Sequence, residues 1–161
     1  MITIVSTRFN QDTWYENKKY REKNKFECIY GSPVEMTTKI CMNSTIFVIE
    51  MNNTKNEIEG IGLLKNKTFV DKYYCIYRNG DYNRYIYIGK YYLDRDKLIS
   101  INIELIKVIE YILFKEKTHL KRGYGFTMIT EKIMKKNKNK DINIKKDLSK
   151  CFIQHFTPLK K

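Results

Sequence analysis

Thirteen tyrosines and a small set of arginines carry most of the recognisable chemistry in this 161-residue sequence. Tyr30, Tyr85 and Tyr87 fall beside a turn or along a β-rich run, where a phenol ring can stack on a nucleobase. Aromatic walls also desolvate an N-methyl group at low cost, so such rings suit a methylated base. Core packing is the competing use for the same tyrosines. Arginine is scarce beside lysine, which gives Arg8, Arg84 and Arg122 a geometric task. Guanidinium grips phosphate bidentately, and ammonium cannot copy that. An ordinary surface ion pair is the alternative for each.

Other chemistries lack their residues. Gly60-Ile61-Gly62 and Gly123-Tyr124-Gly125 do not run into a phosphate-binding loop ahead of a helix, so nucleotide hydrolysis has no support. Gly60 and Gly62 instead mark a strand that another group approaches closely. No Gly-x-Ser-x-Gly elbow or Ser/His/Asp set occurs. Cys28, Cys41, Cys75 and Cys151 have neither zinc-type nor redox-type spacing, and His119 and His155 are the only histidines. Reduced, inert thiols are expected, with no metal and no cofactor. Asp94-Arg95-Asp96 reads as a salt-bridged loop.

Composition bounds the answer further. Lys plus Arg is 31 against 18 Asp plus Glu, a net charge of +13. A hydrophobic share of 42% and an aromatic share of 14% argue against wholesale disorder. No apolar run approaches the ~20 residues of a membrane span, and the apolar start is too short for a signal peptide. An intracellular, cytoplasmic protein without a membrane partner is therefore expected. Alanine is absent while Lys, Ile, Asn and Tyr abound, the signature of A/T-rich codons, as in a large DNA virus or a protist. Part of the Lys, Asn and Tyr content is thus codon drift.

Charge is uneven along the chain. Residues 1–116 hold 18 basic and 15 acidic residues, net +3, whereas 117–161 hold 13 and 3, net +10. That asymmetry points to a polyanion, with Lys121, Arg122, Lys135, Lys136 and Lys138 on an RNA backbone. A solvated tail is the competing reading.

These residues need elements to hold them. Ile2 to Val5 predicts a first strand, and 10–23 predicts a surface helix capped near Asn10 or Asp12. Tyr30-Gly31-Ser32-Pro33 predicts a turn. The run from Thr45 to Met51 predicts a central strand buried on both faces, and a hairpin at 52–56 returns as a strand from Ile58 to Leu64. Tyr73 to Tyr77 and Tyr85 to Tyr92 predict two more strands around a turn at Asn79-Gly80-Asp81. Period two puts Tyr85 and Tyr87 on one face. Helical spacing predicts a helix over Glu104 to Glu116 and a short one near Met128 to Lys136. Lys135 to Lys146 predicts a mobile Lys/Asn segment, and Leu148 to Phe156 is apolar enough to dock back. The expected fold is α+β: five or six strands in one small curved sheet or barrel, with peripheral helices. A domain over 1–134 is followed by a basic segment over 135–161.

The order of these pieces resembles the PUA-like superfamily, with its YTH, EVE and ASCH domains. Ile4-Val5-Ser6-Thr7-Arg8-Phe9-Asn10 is similar to that family's first strand and strand-to-helix turn. Phe26-Glu27-Cys28-Ile29-Tyr30-Gly31-Ser32-Pro33 resembles the YTH segment in which a cage Trp precedes small hydroxyl residues. The span from Ser44 to Leu64 looks like the YTH/EVE hairpin, and Arg84 to Tyr92 sits where the second cage aromatic belongs. The resemblance covers roughly residues 1–100. It implies an aromatic cage reading a modified, methylated nucleotide or an mRNA 5′ end. Tyr30 would form one wall and Tyr85 or Tyr87 the other. Ser6, Thr7 and Asn10 would line the base edge, with Gly31 and Ser32 adding contacts and Trp14 at the mouth or in the helix packing. Tyrosine stands where YTH readers use Trp. Two rival readings are a protein-interaction adaptor and an ASCH-like nucleoside amidohydrolase using Thr7 and Glu59.

Overall fold

The computed structural model describes residues 2–157. Six strands form one mixed sheet in the order β2-β5-β4-β3-β1-β6. They are β1 (Ile2–Phe9), β2 (Cys28–Ser32), β3 (Thr45–Asn52), β4 (Glu57–Lys65), β5 (Tyr85–Asp94) and β6 (Phe126–Met128). Among the described residues only β1 and β3 pair in parallel, joined through helix α1 (Gln11–Asn24) and β2. The sheet curls into a half-barrel. Its two edge strands approach each other, with Phe126 of β6 edge-on to Tyr30 of β2 at 6.4 Å. This is the expected α+β class, a small curved sheet with peripheral helices.

Asn10 starts α1 with a complete capping box, its side chain accepting from Thr13 N–H while the Thr13 hydroxyl accepts from Asn10 N–H. The helix does lie at the surface, but its inward face is polar. Asn17 and Arg21 are buried beside Trp14, and Tyr15 points to solvent. The hairpin after β3 turns on Asn52, whose side-chain oxygen accepts from Thr54 and Lys55 N–H.

Four expectations need correction. Tyr30-Gly31-Ser32 is strand, since β2 pairs with β5 and sets Tyr30 opposite Tyr87. The segment from Tyr73 to Tyr77 is not strand. Its N–H groups at Ile76 and Tyr77 are taken by the buried Asn83 side chain instead of a ladder. Asp94-Arg95-Asp96 is the start of α2 (Arg95–Glu110), with Asp94 as its cap, so this helix begins well before Glu104. Among the described residues Arg95 pairs with Glu110 at 2.8 Å and Glu57 at 3.8 Å, not with the adjacent aspartates. The helix bends at Asn102 and ends in a π-helical turn at Tyr111–Lys115.

The region after residue 134 is folded into the molecule. Short α3 (Glu131–Met134) leads into turns closed by Asn137 and Asn139, then into α4 (Ile144–Phe156). The stretch expected to be mobile thus has side-chain-capped turns. Ile144, Leu148, Cys151 and Phe152 of α4 are buried against α2 and the β3 side of the sheet, in the same core as Phe47 and Leu105. Docking of Leu148 to Phe156 is as expected. A second core fills the other face, around Val5, Val48, Tyr30 and Tyr87. Leu148→Ala should lower stability by about 2–5 kcal/mol, the usual loss for a buried leucine. Urea unfolding checks this, and an unchanged midpoint would remove α4 from the core.

Candidate functional site

The two tyrosines expected to face each other across an open pocket do lie opposite each other in the β2–β5 ladder. Both are closed off from solvent, Tyr30 at 0% and Tyr87 at 1% exposure. Phe126 occupies the space above them, edge-on to Tyr87 at 5.1 Å and to Tyr30 at 6.4 Å. The Tyr87 hydroxyl accepts from Met36 N–H at 2.9 Å. No cage stands open between Tyr30 and Tyr87 in this structure, because β6 closes it. Their variants therefore report folding.

What holds Tyr30 is a buried carboxylate. Glu50 on β3 is fully buried, and its Oε2 accepts from the Tyr30 hydroxyl at 2.6 Å. Its Oε1 accepts from the Tyr92 hydroxyl at 2.7 Å, and Arg21 Nη1 lies 3.4 Å from Oε2. The Arg21 guanidinium sits over Trp14 at 4.9 Å and over Tyr92 at 4.4 Å. Trp14 is thus a packing residue, also edge-on to Phe9 at 5.5 Å. Gly60 and Gly62 explain themselves here: a Cβ at Gly60 would strike the Tyr92 ring, and one at Gly62 would strike the Tyr30 hydroxyl and Cys28 Sγ. Burial raises the Glu50 carboxyl above its ordinary 4.5, against the opposing pull of Arg21 and the two tyrosine hydroxyls. Burial, with the nearby Glu50 charge, also pushes the Cys28 thiol up to about 12, so it is inert at neutral pH.

Four of the sequence-selected residues do meet, at the far end of β1. Thr7, Arg8, Asn10 and Gly31 line a cleft of about 510 Å³ together with Tyr77, Arg78 and Tyr82. Arg8 is half-buried there and tied to the opposite wall. Its Nη1 donates to Leu120 O at 3.2 Å and Thr127 Oγ1 at 2.9 Å, and its Nη2 donates to Gly125 O. Among the described residues no carboxylate forms an ion pair with it. Burial lowers its pKa below the ordinary arginine value, with Tyr82 opposing. Gly125, at φ +66°, closes the loop over the cleft where a side chain would strike Ser32.

Aromatic surface is present, on different tyrosines from those expected. Tyr82 is partly exposed and lies edge-on to Tyr77 at 6.4 Å and to Tyr124 at 6.3 Å. Tyr77 and Tyr82 come from the irregular segment between β4 and β5, which sequence periodicity reads poorly. The one available signal was Asn79-Gly80, which puts a turn, and so a surface ring, at residue 82.

Other selected residues fall elsewhere. Ser6 is fully buried and its hydroxyl has no partner among the described residues. Ser32 is buried, its hydroxyl donating to Val34 O. Tyr85 is half-buried, and exposed Arg84 faces Asp81 at 3.7 Å, the ordinary surface pair. Lys121 and Arg122 flank the cleft, since the cleft residue Asn53 donates to Lys121 O at 3.2 Å. Lys136 reaches Lys117 O on the same loop at 3.5 Å, whereas Lys138 covers the Tyr111 ring at 5.2 Å and Lys135 lines a separate cavity beside α4. Thr7 and Glu59 line different cavities and do not form the pair nominated for amide hydrolysis. No helix of the described residues is long and apolar enough to cross a membrane.

Comparison with protein families, with curated proteins and with solved structures found no match.

Two outcomes follow from the Glu50 cluster. Tyr30→Phe removes a donor to a buried carboxyl group and should cost about 1.5–3 kcal/mol in denaturant unfolding. Because the folded carboxyl binds its proton more tightly than the unfolded one, its contribution is complete below pH 4.5 and is lost as pH rises through the raised value. Melting temperatures across pH 4 to 8 should show that decline in the parent relative to Glu50→Gln. An identical profile in both would mean Glu50 does not titrate between the folded and unfolded states.

Proposed function

We propose that the protein binds RNA and takes one nucleotide into the cleft between β1, the start of α1 and Tyr82. The observation that carries this reading is the Arg8 cation, half-buried in the cleft wall without a carboxylate among the described residues. A buried charge of this kind favours an anionic group of a ligand, and phosphate is the anion that guanidinium matches best. Exposed Arg78 lies on the same rim, and Lys121 and Arg122 stand beside it. Tyr82 and Tyr124 supply partly exposed rings for a base. Phosphate contacts then provide affinity and the tyrosine rim provides selectivity.

In the finer form of this reading the domain is PUA-like and the bound nucleotide is methylated or belongs to an mRNA 5′ end. The support is positional. The end of β1 and its turn into α1, which the resemblance makes the base edge, contribute Thr7, Arg8 and Asn10 to the cleft. The ring that meets the base is then Tyr82, since Tyr30 and Tyr87 are sealed beneath Phe126.

Fluorescence anisotropy with short single-stranded RNA at low salt tests the proposal. Tyr82→Ala should weaken binding by about 1–3 kcal/mol, the usual loss of one stacking ring. Arg78→Ala should weaken all sequences alike and reduce the salt slope by about one. Both side chains reach solvent, so the fold should survive, as a thermal melt would verify. RNA binding that is absent, or unchanged in both folded variants, would overturn the reading.

A further inference from the structure

The strands carry a second recessed surface at their other end. The cleft lies where β1 and β3 finish, at Phe9 and Asn52, which are register partners. A groove of about 520 Å³ opens beside Thr45, where β3 begins. Eight residues of β3 separate the two, about 23 Å at strand rise. An occupant of one leaves the other free.

A break in pairing helps shape the groove. The β4–β5 ladder runs Leu63 opposite Tyr91 and then Leu64 opposite Gly89, so Lys90 is an extra residue on β5. The floor is apolar, with half-buried Leu63, Phe69 and Ile88. Tyr91, also in the lining, is 46% exposed. Tyr91 continues the surface to Phe156 of α4 at 5.0 Å. Among the described residues every charged side chain lining the groove is a lysine, Lys65, Lys67 and Lys90.

We propose that this groove docks an acidic segment of a partner protein, whose apolar side chains seat on Leu63, Phe69 and Ile88 between the three lysines. Contiguous apolar surface of this kind marks an interaction site, and a rim of one sign selects a partner of the other. The chemistry fits RNA less well. The floor is largely aliphatic, and none of the chain's arginines lines it. The Phe69 ring already carries the Lys67 ammonium at 5.8 Å, and Tyr91 is engaged edge-on by Phe156. A protein segment with Leu or Phe anchors and flanking carboxylates uses both the floor and the rim.

The test uses the full chain and three labelled twelve-residue peptides. One has a Leu/Phe core flanked by Asp and Glu, the second has the same core flanked by Lys, and the third keeps the acidic flanks around a Ser core. The first should bind at least about tenfold tighter than the other two. Lys65→Glu, Lys67→Glu and Lys90→Glu combined should reverse the preference towards the lysine-flanked peptide. The same three positions as Gln should abolish the preference, which guards against misfolding of the charge reversal. RNA binding should persist in both variants, so the groove and the cleft are tested separately. Three results would overturn the proposal. The first is equal binding of the peptides. The second is RNA that displaces the acidic peptide from the parent and loses affinity in the Gln variant. The third is a concentration-dependent dimer that the Gln variant lacks, which would assign the groove to a second copy of this chain.

Discussion

A carboxyl group without access to water sits on β3, and much of the fold is arranged around its need for donors. Glu50 receives hydroxyls from Tyr30 on β2 and Tyr92 on β5, and a guanidinium from Arg21 on α1. Two strands on the far side of the sheet and the first helix are thereby tied to its centre. The strand between them, β4, must stay out of the way, and Gly60 and Gly62 do that by having no side chain. An unpaired group at this depth costs several kcal/mol, so the cluster specifies which helix face turns inward and which tyrosines are spent on structure. It also explains why α1 buries Arg21 where an ordinary amphipathic helix buries leucine, while the buried Asn17 beside it donates to Ile29 O and the Tyr77 hydroxyl.

That constraint governs what remains available for binding. With Tyr30 held by Glu50 and Tyr87 held by the Met36 amide, Phe126 can pack over both and close the half-barrel. The ligand-accessible surface shifts to the strand ends. At one end Arg8 bonds to the carbonyls of the loop that follows α2, so a half-buried cation lines the cleft while holding one of its walls. At the other end the extra residue Lys90 loosens the β4–β5 ladder beside an apolar floor. The two surfaces differ in chemistry, guanidinium and tyrosine at one and aliphatic carbon with lysine at the other.

The basic C-terminal region has a double character for the same reason. Its described lysines are exposed apart from half-buried Lys145, while Leu148, Cys151 and Phe152 recur on one face of α4 and pack on α2. A segment with a high positive charge is thus also part of a hydrophobic core. Removing it would expose Phe47 and Leu105 as well as subtract charge.

The sequence by itself determined the class of fold and many of its elements. The period-two run of β5, the continuous apolar run of β3, the Asn10 cap and the apolar face of α4 are local signals, each written within a few neighbouring residues. It also selected Thr7, Arg8, Asn10 and Gly31, which the structure gathers at one cleft. What it could not decide was the fate of each tyrosine. Tyr30, Tyr82 and Tyr87 have similar local surroundings, and Tyr30 and Tyr87 are closed off by Glu50, Phe126 and the Met36 amide, which lie up to 96 residues away in the chain. Burial of a polar ring is settled by partners from other strands, and only the closed sheet brings those partners together.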